Sequence, residues 1–255
     1  MTNVMTILPM DLLLLAMGIA CLSGIVKGIV GFAMPMVLIS GLSSFVAPDL
    51  ALVGLILPTL VTNAMQALRQ GRSEAHQSVM RFRYFLLAGA VMMMLSAQFV
   101  TVLRVEALLL MIAVPVVAFA ATQLLGWRIP LTSRQTVRAD LSMGAFAGAV
   151  GGVSGIWGPQ TVTYLTAIGT PKQDAMRIQG VIYGLGACLL VVAHMASGLF
   201  TWATAPFSAL LVPPAVLGMW IGGQVQDRFD QATFRKITLC VLLIGGLNLI
   251  RRAVM

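Results

Sequence analysis

One pattern of glycines and a proline occurs twice in this chain. The spacing Gly-x3-Gly-x2-Gly-x3-Pro recurs 124 positions apart, first as Gly24, Gly28, Gly31 and Pro35 and then as Gly148, Gly152, Gly155 and Pro159. We refer to these as the first and second Gly/Pro segments. The repetition predicts one duplicated unit with halves at 1–127 and 128–255. In a membrane protein, internal duplication is typical of a transporter whose substrate site lies between the halves.

The composition is that of a membrane protein. The chain is 59% hydrophobic and 9% charged, with a mean hydropathy of +0.95. A bilayer span needs about 20 apolar residues. Most charge-free stretches fit one span and the last fits two; they cover 28–48, 50–68, 84–103, 107–127, 141–171 and 178–226. We therefore predict an all-α polytopic membrane protein.

The basic residues predict the orientation of the chain. Twelve of the sixteen Lys and Arg residues fall in four clusters, within 69–83, 128–138, 172–177 and 228–236. The positive-inside rule places these clusters in the cytoplasm and the N-terminus in the periplasm. Each half then crosses the membrane an odd number of times, so the two repeats are predicted to have inverted topology. The net charge of +8 is explained by this rule and by anionic membrane lipid, so no nucleic-acid partner is expected.

The Gly/Pro segments predict interrupted helices. The second lies in a charge-free run of 31 residues, 141–171, which is too long for one helix and too short for two spans. Each repeat is predicted to begin with a hairpin of short helices, followed by about three spanning helices. Whether these hairpins are re-entrant or fully spanning is left open. Matching Gly/Pro interruptions in two halves indicate a transporter's binding site. Alternatively, the glycine stripe only packs helices closely.

The two segments carry a family resemblance. Residues 23–35, Ser-Gly-Ile-Val-Lys-Gly-Ile-Val-Gly-Phe-Ala-Met-Pro, and their echo at 147–159 resemble the repeated glycine motif of the TauE/SafE family, also called the 4-toluene sulfonate uptake permeases. The resemblance implies a transporter that moves sulfite, sulfoacetate or another organosulfonate across the bacterial inner membrane. In the first segment, Lys27 and Phe32-Ala-Met depart from the family's small residues, which leaves the substrate and the transport direction open.

Lys27 is the strongest candidate for contact with an anion. It interrupts apolar sequence and shares a helical face with Gly24 and Gly28. Its repeat-related residue is Gly151, so this charge is present in one half only. A buried ammonium is costly unless it is paired or hydrated, and an anionic substrate would pair with it. Alternatively, Lys27 lies at a helix end and snorkels to the membrane interface.

Broken helices direct positive dipole ends and free N–H groups towards an anion. A sulfonate presents three acceptor oxygens, so several donors would suit it. Tryptophan at such a place is alternatively an interfacial anchor. The substrate-binding candidates from the two segments are Gly28, Gly31, Phe32 and Pro35, and Gly152, Ser154, Gly155, Trp157, Pro159 and Gln160.

A polar stripe on the next predicted helix adds candidates. Thr59, Asn63 and Gln66 follow helical spacing together with Thr62, so these side chains would face protein rather than lipid. In the second half, Gln179 and Tyr183 share a face, and Tyr183 aligns with Thr59. These residues either bind substrate or form interhelical hydrogen bonds.

The predicted mechanism is secondary transport by alternating access, because the chain contains no ATP-binding motif. No cofactor or metal is expected; a coupling proton or sodium ion and the oligomeric state are left open. The alternatives are a transporter or channel for a small carboxylate or other anion. A remote alternative is a rhomboid-like intramembrane serine protease, since Gly152-Val-Ser-Gly155 fits the motif GxSG and His194 follows in a later span. The first segment has Val30 at the serine position, which favours a non-enzymatic role.

Overall fold

The described part of the chain is built from helices, with no strand among the described residues. The computed structural model describes residues 8–69, 71–99, 104–127, 135–154, 157–168, 170, 172–225 and 231–254. The first half contains α1 (Met10–Val30), α2 (Met34–Leu42), α3 (Pro48–Leu68), α4 (Arg72–Arg81), α5 (Arg83–Ala97) and α6 (Val105–Leu124). The second half contains α7 (Val137–Ser154), α8 (Gly158–Ala167), α9 (Lys172–Ala196), α10 (Ala205–Leu210), α11 (Val212–Val225) and α12 (Gln231–Val254).

Several of these helices are long and apolar enough to cross a bilayer. Four segments of the described part of the chain meet that condition: Met10–Ile29, Pro48–Leu68, Arg177–Ala196 and Ala205–Val225. α4 and α5 together would make a fifth, although the chain bends by 77° between them. The prediction of an all-α polytopic membrane protein is therefore confirmed.

The first Gly/Pro segment is a break between two helices, as predicted. α1 ends at Gly31, which adopts a left-handed conformation with φ 87° and whose N–H donates to Lys27 O at 2.7 Å. A side chain at this position would be strained. Pro35 lies in the first turn of α2, where its missing N–H has no helical partner to lose. The glycine thus ends one helix and the proline suits the start of the next.

The second Gly/Pro segment is also a break, between the end of α7 and the start of α8. We call α1 with α2 the first hairpin and α7 with α8 the second hairpin. In both, the arms are unequal: α1 has 21 residues and α2 has 9, while α7 has 18 and α8 has 10. The prediction of two short arms is thus correct for α2 and α8, whereas α1 is long enough to span.

Glycine lets α1 and α11 approach backbone to backbone. A Cβ atom added at Gly24 would lie 2.1 Å from Ala215 O, and one at Gly218 would lie 2.0 Å from Cys21 O. Such distances leave no room for a side chain. Small residues of this kind allow helices to pack closely in membranes, where the hydrophobic effect does not hold helices together.

The same arrangement joins α5 and α7. A Cβ atom at Gly144 would lie 2.2 Å from Phe85 O, one at Gly148 would lie 2.1 Å from Gly89 O, and one at Gly152 would lie 2.5 Å from Met93 O. The glycine stripe of each segment therefore packs the long arm of its hairpin against a helix of the other half.

The helix contacts follow a pattern of exchange between the halves. α1 packs on α11 as α7 packs on α5, and α3 packs on α9 while α6 packs on α12. The helices correspond in order, so that α1 is the counterpart of α7 and α5 that of α11. Exchanging counterparts turns the α1–α11 pair into the α7–α5 pair and leaves the α3–α9 and α6–α12 pairs unchanged. The pattern is what a two-fold relation between the halves would generate; the inverted topology itself stays a prediction.

A proline inside α3 is compensated from the second half. Pro58 has no N–H, so Gly54 O lacks its usual helical donor. Ser208 Oγ of α10 donates to Gly54 O at 3.4 Å and accepts from Leu57 N–H at 3.0 Å. The short helix α10 thereby stabilises α3 between Gly54 and Pro58, just before its polar residues begin at Thr59.

We expect Gly24→Ala to destabilise the protein by about 1–3 kcal/mol, because the new methyl group meets a backbone carbonyl that cannot move alone. Gly18→Ala is the matched control on α1, since nothing lies within 4 Å of a Cβ atom there. It should be neutral or stabilising by up to about 1 kcal/mol. Thermal unfolding of the purified variants in detergent measures both. Equal unfolding temperatures for the two variants would contradict the packing role.

Candidate functional site

Lys27 lies in the last turn of α1, next to the break, and its side chain is buried at 1% exposure. The ammonium Nζ donates to Asn63 Oδ1 of α3. Within the described ranges, the ion pairs that the structure contains involve other residues, and no carboxylate pairs with Lys27. The ammonium is therefore withdrawn from the interface and held by a neutral partner, so it does not snorkel.

Asn63 connects Lys27 to the second half. Its Nδ2 donates to Tyr183 O of α9 at 3.1 Å, and the Tyr183 hydroxyl donates to Gly158 O at 3.1 Å. Gly158 is the first residue of α8. A connected path thus runs from the first break through α3 and α9 to the second break.

The two breaks lie next to each other. A Cβ atom built on Gly158 would be 3.5 Å from Phe32 Cδ2 and 3.8 Å from Phe32 O. Both α2 and α8 begin here, and α2 has no side-chain cap on its first N–H groups. Uncapped N-terminal turns carry partial positive charge, which adds to the charge of Lys27 in the same region.

Three further predicted residues are buried on α3, α8 and α9, the helices that this hydrogen-bonded path connects. Thr59 Oγ1, Gln160 Oε1 and Gln179 Oε1 are buried and have no hydrogen-bond partner among the described residues. Buried polar atoms without partners are unusual in folded proteins. These side chains are therefore available to form hydrogen bonds with a water or another small molecule. Thr62 differs, because its hydroxyl donates to Pro58 O at 2.7 Å.

The remaining predicted residues have other surroundings. Gly28 faces α11, where its added Cβ would be 2.4 Å from Met219 O, and Gly152 faces α5. Gln66 is half-buried and packs against Gly180 of α9. Pro35 is buried in α2. Gly155 and the side chains of Ser154 and Pro159 lie outside the described residues.

Trp157 is buried between two glycines and is not an interfacial anchor. Its ring atom Cε3 would be 2.5 Å from a Cβ atom at Gly151, and its Cζ2 would be 2.6 Å from one at Gly186. Gly151 is the repeat-related counterpart of Lys27. An indole in the second half therefore covers the position that carries the charged side chain in the first. Sequence reasoning missed this role of Gly186, because only spatial contact pairs it with Trp157.

The space beside the second hairpin is small in this conformation. A largely apolar cavity of about 30 Å³, roughly the volume of one water, is lined by residues of α5, α7 and α9 together with Trp157 and Thr161. Lys27 is not among the lining residues. The cavity holds no more than about one water in this conformation.

Two further points concern metal ligands and His194, the histidine of the protease alternative. Among the described residues, no group of three or more His, Cys, Asp or Glu side chains could hold a metal ion. His194 is buried near the end of α9, and neither ring nitrogen has a partner in the described part of the chain.

The comparisons with known proteins agree with the helical architecture. The family model described as Sulfite exporter TauE/SafE matches residues 16–249, nearly the whole chain. No curated protein and no solved structure matches the chain significantly. The matched family consists of transporters rather than enzymes, which argues against the protease alternative. This multi-pass membrane protein belongs to the TauE/SafE sulfite exporter family.

Proposed function

We propose that the protein is a secondary transporter of a small sulfur-containing anion, such as sulfite, sulfoacetate or another organosulfonate. The anion is held between the two hairpins, with Lys27 as its counter-charge. The transporter lies in the bacterial inner membrane with its N-terminus in the periplasm, and its repeats, 1–127 and 128–255, are inverted. Family membership supports the sulfur-anion class, and the geometry around Lys27 supports the place of binding.

The buried ammonium of Lys27 is the observation that carries this proposal. Removing a charge from water costs several kcal/mol, and a neutral acceptor such as Asn63 Oδ1 offsets only part of this cost. Within the described ranges no acidic side chain completes the pairing. An anion from solution would supply the missing negative charge and stabilise the folded protein.

The neighbouring groups suit an anion with several oxygens. The first turns of α2 and α8 begin at the two breaks and provide backbone N–H groups. Thr59 carries a hydroxyl that can donate, and the amides of Gln160 and Gln179 can present either their oxygen or their nitrogen. A tetrahedral sulfonate or a pyramidal sulfite would find donors on more than one side.

Alternating access would follow from the hairpin packing. The long arm of each hairpin is locked by glycine contacts to a helix of the other half, α1 to α11 and α7 to α5. Each locked pair would therefore move as one body. Separation of the pairs at the contact between Phe32 and Gly158 would open the path to Lys27.

We expect a suitable sulfur anion to stabilise the wild-type protein and not Lys27→Met. At about 100 times its dissociation constant, a ligand adds roughly 2.7 kcal/mol to the free energy of unfolding. Thermal unfolding is measured with sulfite, thiosulfate, sulfoacetate, taurine, aromatic sulfonates, sulfate, acetate and oxalate. Lys27→Arg, which keeps the charge, is the matched control and should retain part of the response.

Two outcomes of that experiment would contradict parts of the proposal. An unchanged response in Lys27→Met would remove Lys27 from the binding site. A response to acetate or oxalate and to no sulfur anion would mean that the substrate is a carboxylate, for which the same counter-charge would serve.

We expect Asn63→Asp to abolish the ligand response while the protein stays folded. The new carboxylate would occupy the place of Asn63 Oδ1, pair with Lys27 and repel an anion. Gln66→Glu adds the same charge one turn later on α3, where the side chain packs against α9, and should keep most of the response. Loss of the response in both variants would indicate a general electrostatic effect instead of a specific site.

We expect saturable exchange of labelled sulfite in liposomes that contain the purified protein. In a carrier, unlabelled sulfite trapped inside drives a transient accumulation of label, because one site faces each side in turn. Lys27→Met should lose this counterflow. Flux that rises linearly with concentration and shows no counterflow would indicate a channel.

A further inference from the structure

An open cavity lies where the end of α4, the start of α5 and the start of α7 meet. It measures about 280 Å³, roughly ten times the volume of one water. The chain bends by 77° between α4 and α5, so α4 runs nearly along the membrane surface when α5 crosses the membrane. The basic clusters within 69–83 and 128–138 are predicted to be cytoplasmic. The cavity is thus predicted to open at the inner surface of the membrane.

Two arginines give this cavity its positive charge. Arg81 Cζ lies 5.4 Å from the centre of the Phe82 ring, and Arg83 Cζ lies 4.9 Å from the centre of the Tyr84 ring. Both arginines are exposed and line the cavity, and the ion pairs among the described residues include neither. An aromatic ring orders a guanidinium group without neutralising it, so both groups keep their charge for an anion.

Two hydroxyl groups of the lining are placed to donate as well. Tyr84 Oη accepts a hydrogen bond from Arg83 Nη2 at 3.2 Å, and Thr136 Oγ1 accepts one from Ala139 N–H at 3.1 Å. A hydroxyl that accepts from a protein donor still has its own proton to donate. The cavity therefore offers two cations and two neutral donors to the oxygens of one ligand.

Asp140 is the acidic residue of the described lining, and its oxygens are already bonded. The Tyr164 hydroxyl donates to Oδ1, and Gln135 Nε2 donates to Oδ1 at 3.3 Å and to Oδ2 at 3.1 Å. The side chain is 3% exposed, so it presents little to a positively charged group such as choline. Arg81 and Arg83 also outnumber its charge. The lining thus favours an anionic ligand over a zwitterionic one.

An apolar stripe on α5 leads away from the cavity. Leu87, Val91 and Leu95 follow Arg83 at intervals of four residues, so the four side chains share one helix face. The three apolar side chains, which we call the α5 stripe, are 63%, 52% and 57% exposed. One face of α5 therefore carries a cation at its start and apolar groups along its length. This is the order in which a phospholipid presents its phosphate and its acyl chain.

We propose that this cavity binds the headgroup of an anionic phospholipid whose acyl chain lies along the α5 stripe. Arg81 and Arg83 donate to the phosphate oxygens, which suit the planar fork of a guanidinium group. The hydroxyls of Tyr84 and Thr136 donate to further headgroup oxygens. Lys27 does not line this cavity, so the lipid site is distinct from the proposed substrate site. It needs only α5 to lie in a membrane and does not depend on what the protein transports.

Native mass spectrometry of the purified full chain in detergent measures this binding without transport. The probes are phosphatidylglycerol, phosphatidylcholine with the same acyl chains, and glycerol phosphate, which has the phosphate but no chain. Wild type should retain phosphatidylglycerol severalfold more than phosphatidylcholine, and an equal concentration of glycerol phosphate should not displace it. Equal retention of both lipids overturns the proposal. Displacement by glycerol phosphate also overturns it and assigns the cavity to a soluble phosphate compound.

Matched variants separate this site from general attraction to a basic surface. Arg83→Gln should lower the affinity for phosphatidylglycerol about fivefold, the effect of one basic charge near a membrane surface, and Arg83→Lys should retain part of it. Arg72→Gln removes the same charge from the other end of α4 and should change the affinity by less than about twofold, because the charge is distant and screened.

Arg83→Gln should unfold without lipid at the same temperature as wild type, because the hydrogen bond of Arg83 is to its neighbour Tyr84. Its loss of lipid can then be assigned to binding. Equal losses in Arg83→Gln and Arg72→Gln, or full retention in Arg83→Gln, refute a specific lipid site in this cavity.

Discussion

Close backbone contact at two helix crossings is the constraint on which the rest of this structure depends. Carbonyl groups of α11 occupy the space where Gly24 and Gly28 would carry side chains, and α5 meets α7 in the same way. Each hairpin is therefore fastened to the opposite half by its long arm. The short arms, α2 and α8, begin close to each other, where Gly158 lies near Phe32. The close backbone contacts therefore belong to the long arms, and the two breaks lie where the short arms begin.

The region where the two breaks meet is asymmetric, although the helix contacts of the two halves correspond. The first half contributes the buried ammonium of Lys27, and the second contributes the Trp157 indole and the Asp140–Tyr164 pair. If the halves were chemically identical, positive charge would lie on both sides of this region. The buried ammonium of Lys27 instead has a glycine, Gly151, as its counterpart in the second half.

Much of the architecture could be predicted from sequence because it depends on local rules. Gly31 and Pro35 indicate a helix end and a helix start, and charge-free runs indicate spans. Of the predicted polar stripe, Thr59, Thr62 and Asn63 are buried and Gln66 is half-buried. The role of Gly28 could not be assigned, because the same spacing suits a packing surface or a ligand surface. The contact between Asp140 and Tyr164 could not be predicted either, since the two residues are 24 positions apart. Contacts that depend on tertiary packing, such as those of the Trp157 indole with Gly151 and Gly186, cannot be predicted from the sequence pattern.

The indole of Trp157 shows how two halves with the same order of helices can differ in their side chains. In the second half a large side chain at Trp157 lies over a glycine, whereas the corresponding positions in the first half are a small Ala33 and a long Lys27. The larger side chain is thus at the earlier of the two positions in the first half and at the later one in the second half, and the chemistry of the two hairpins differs. Paired differences of this type let one half of a chain carry a charge and the other an aromatic ring while both keep the same order of helices.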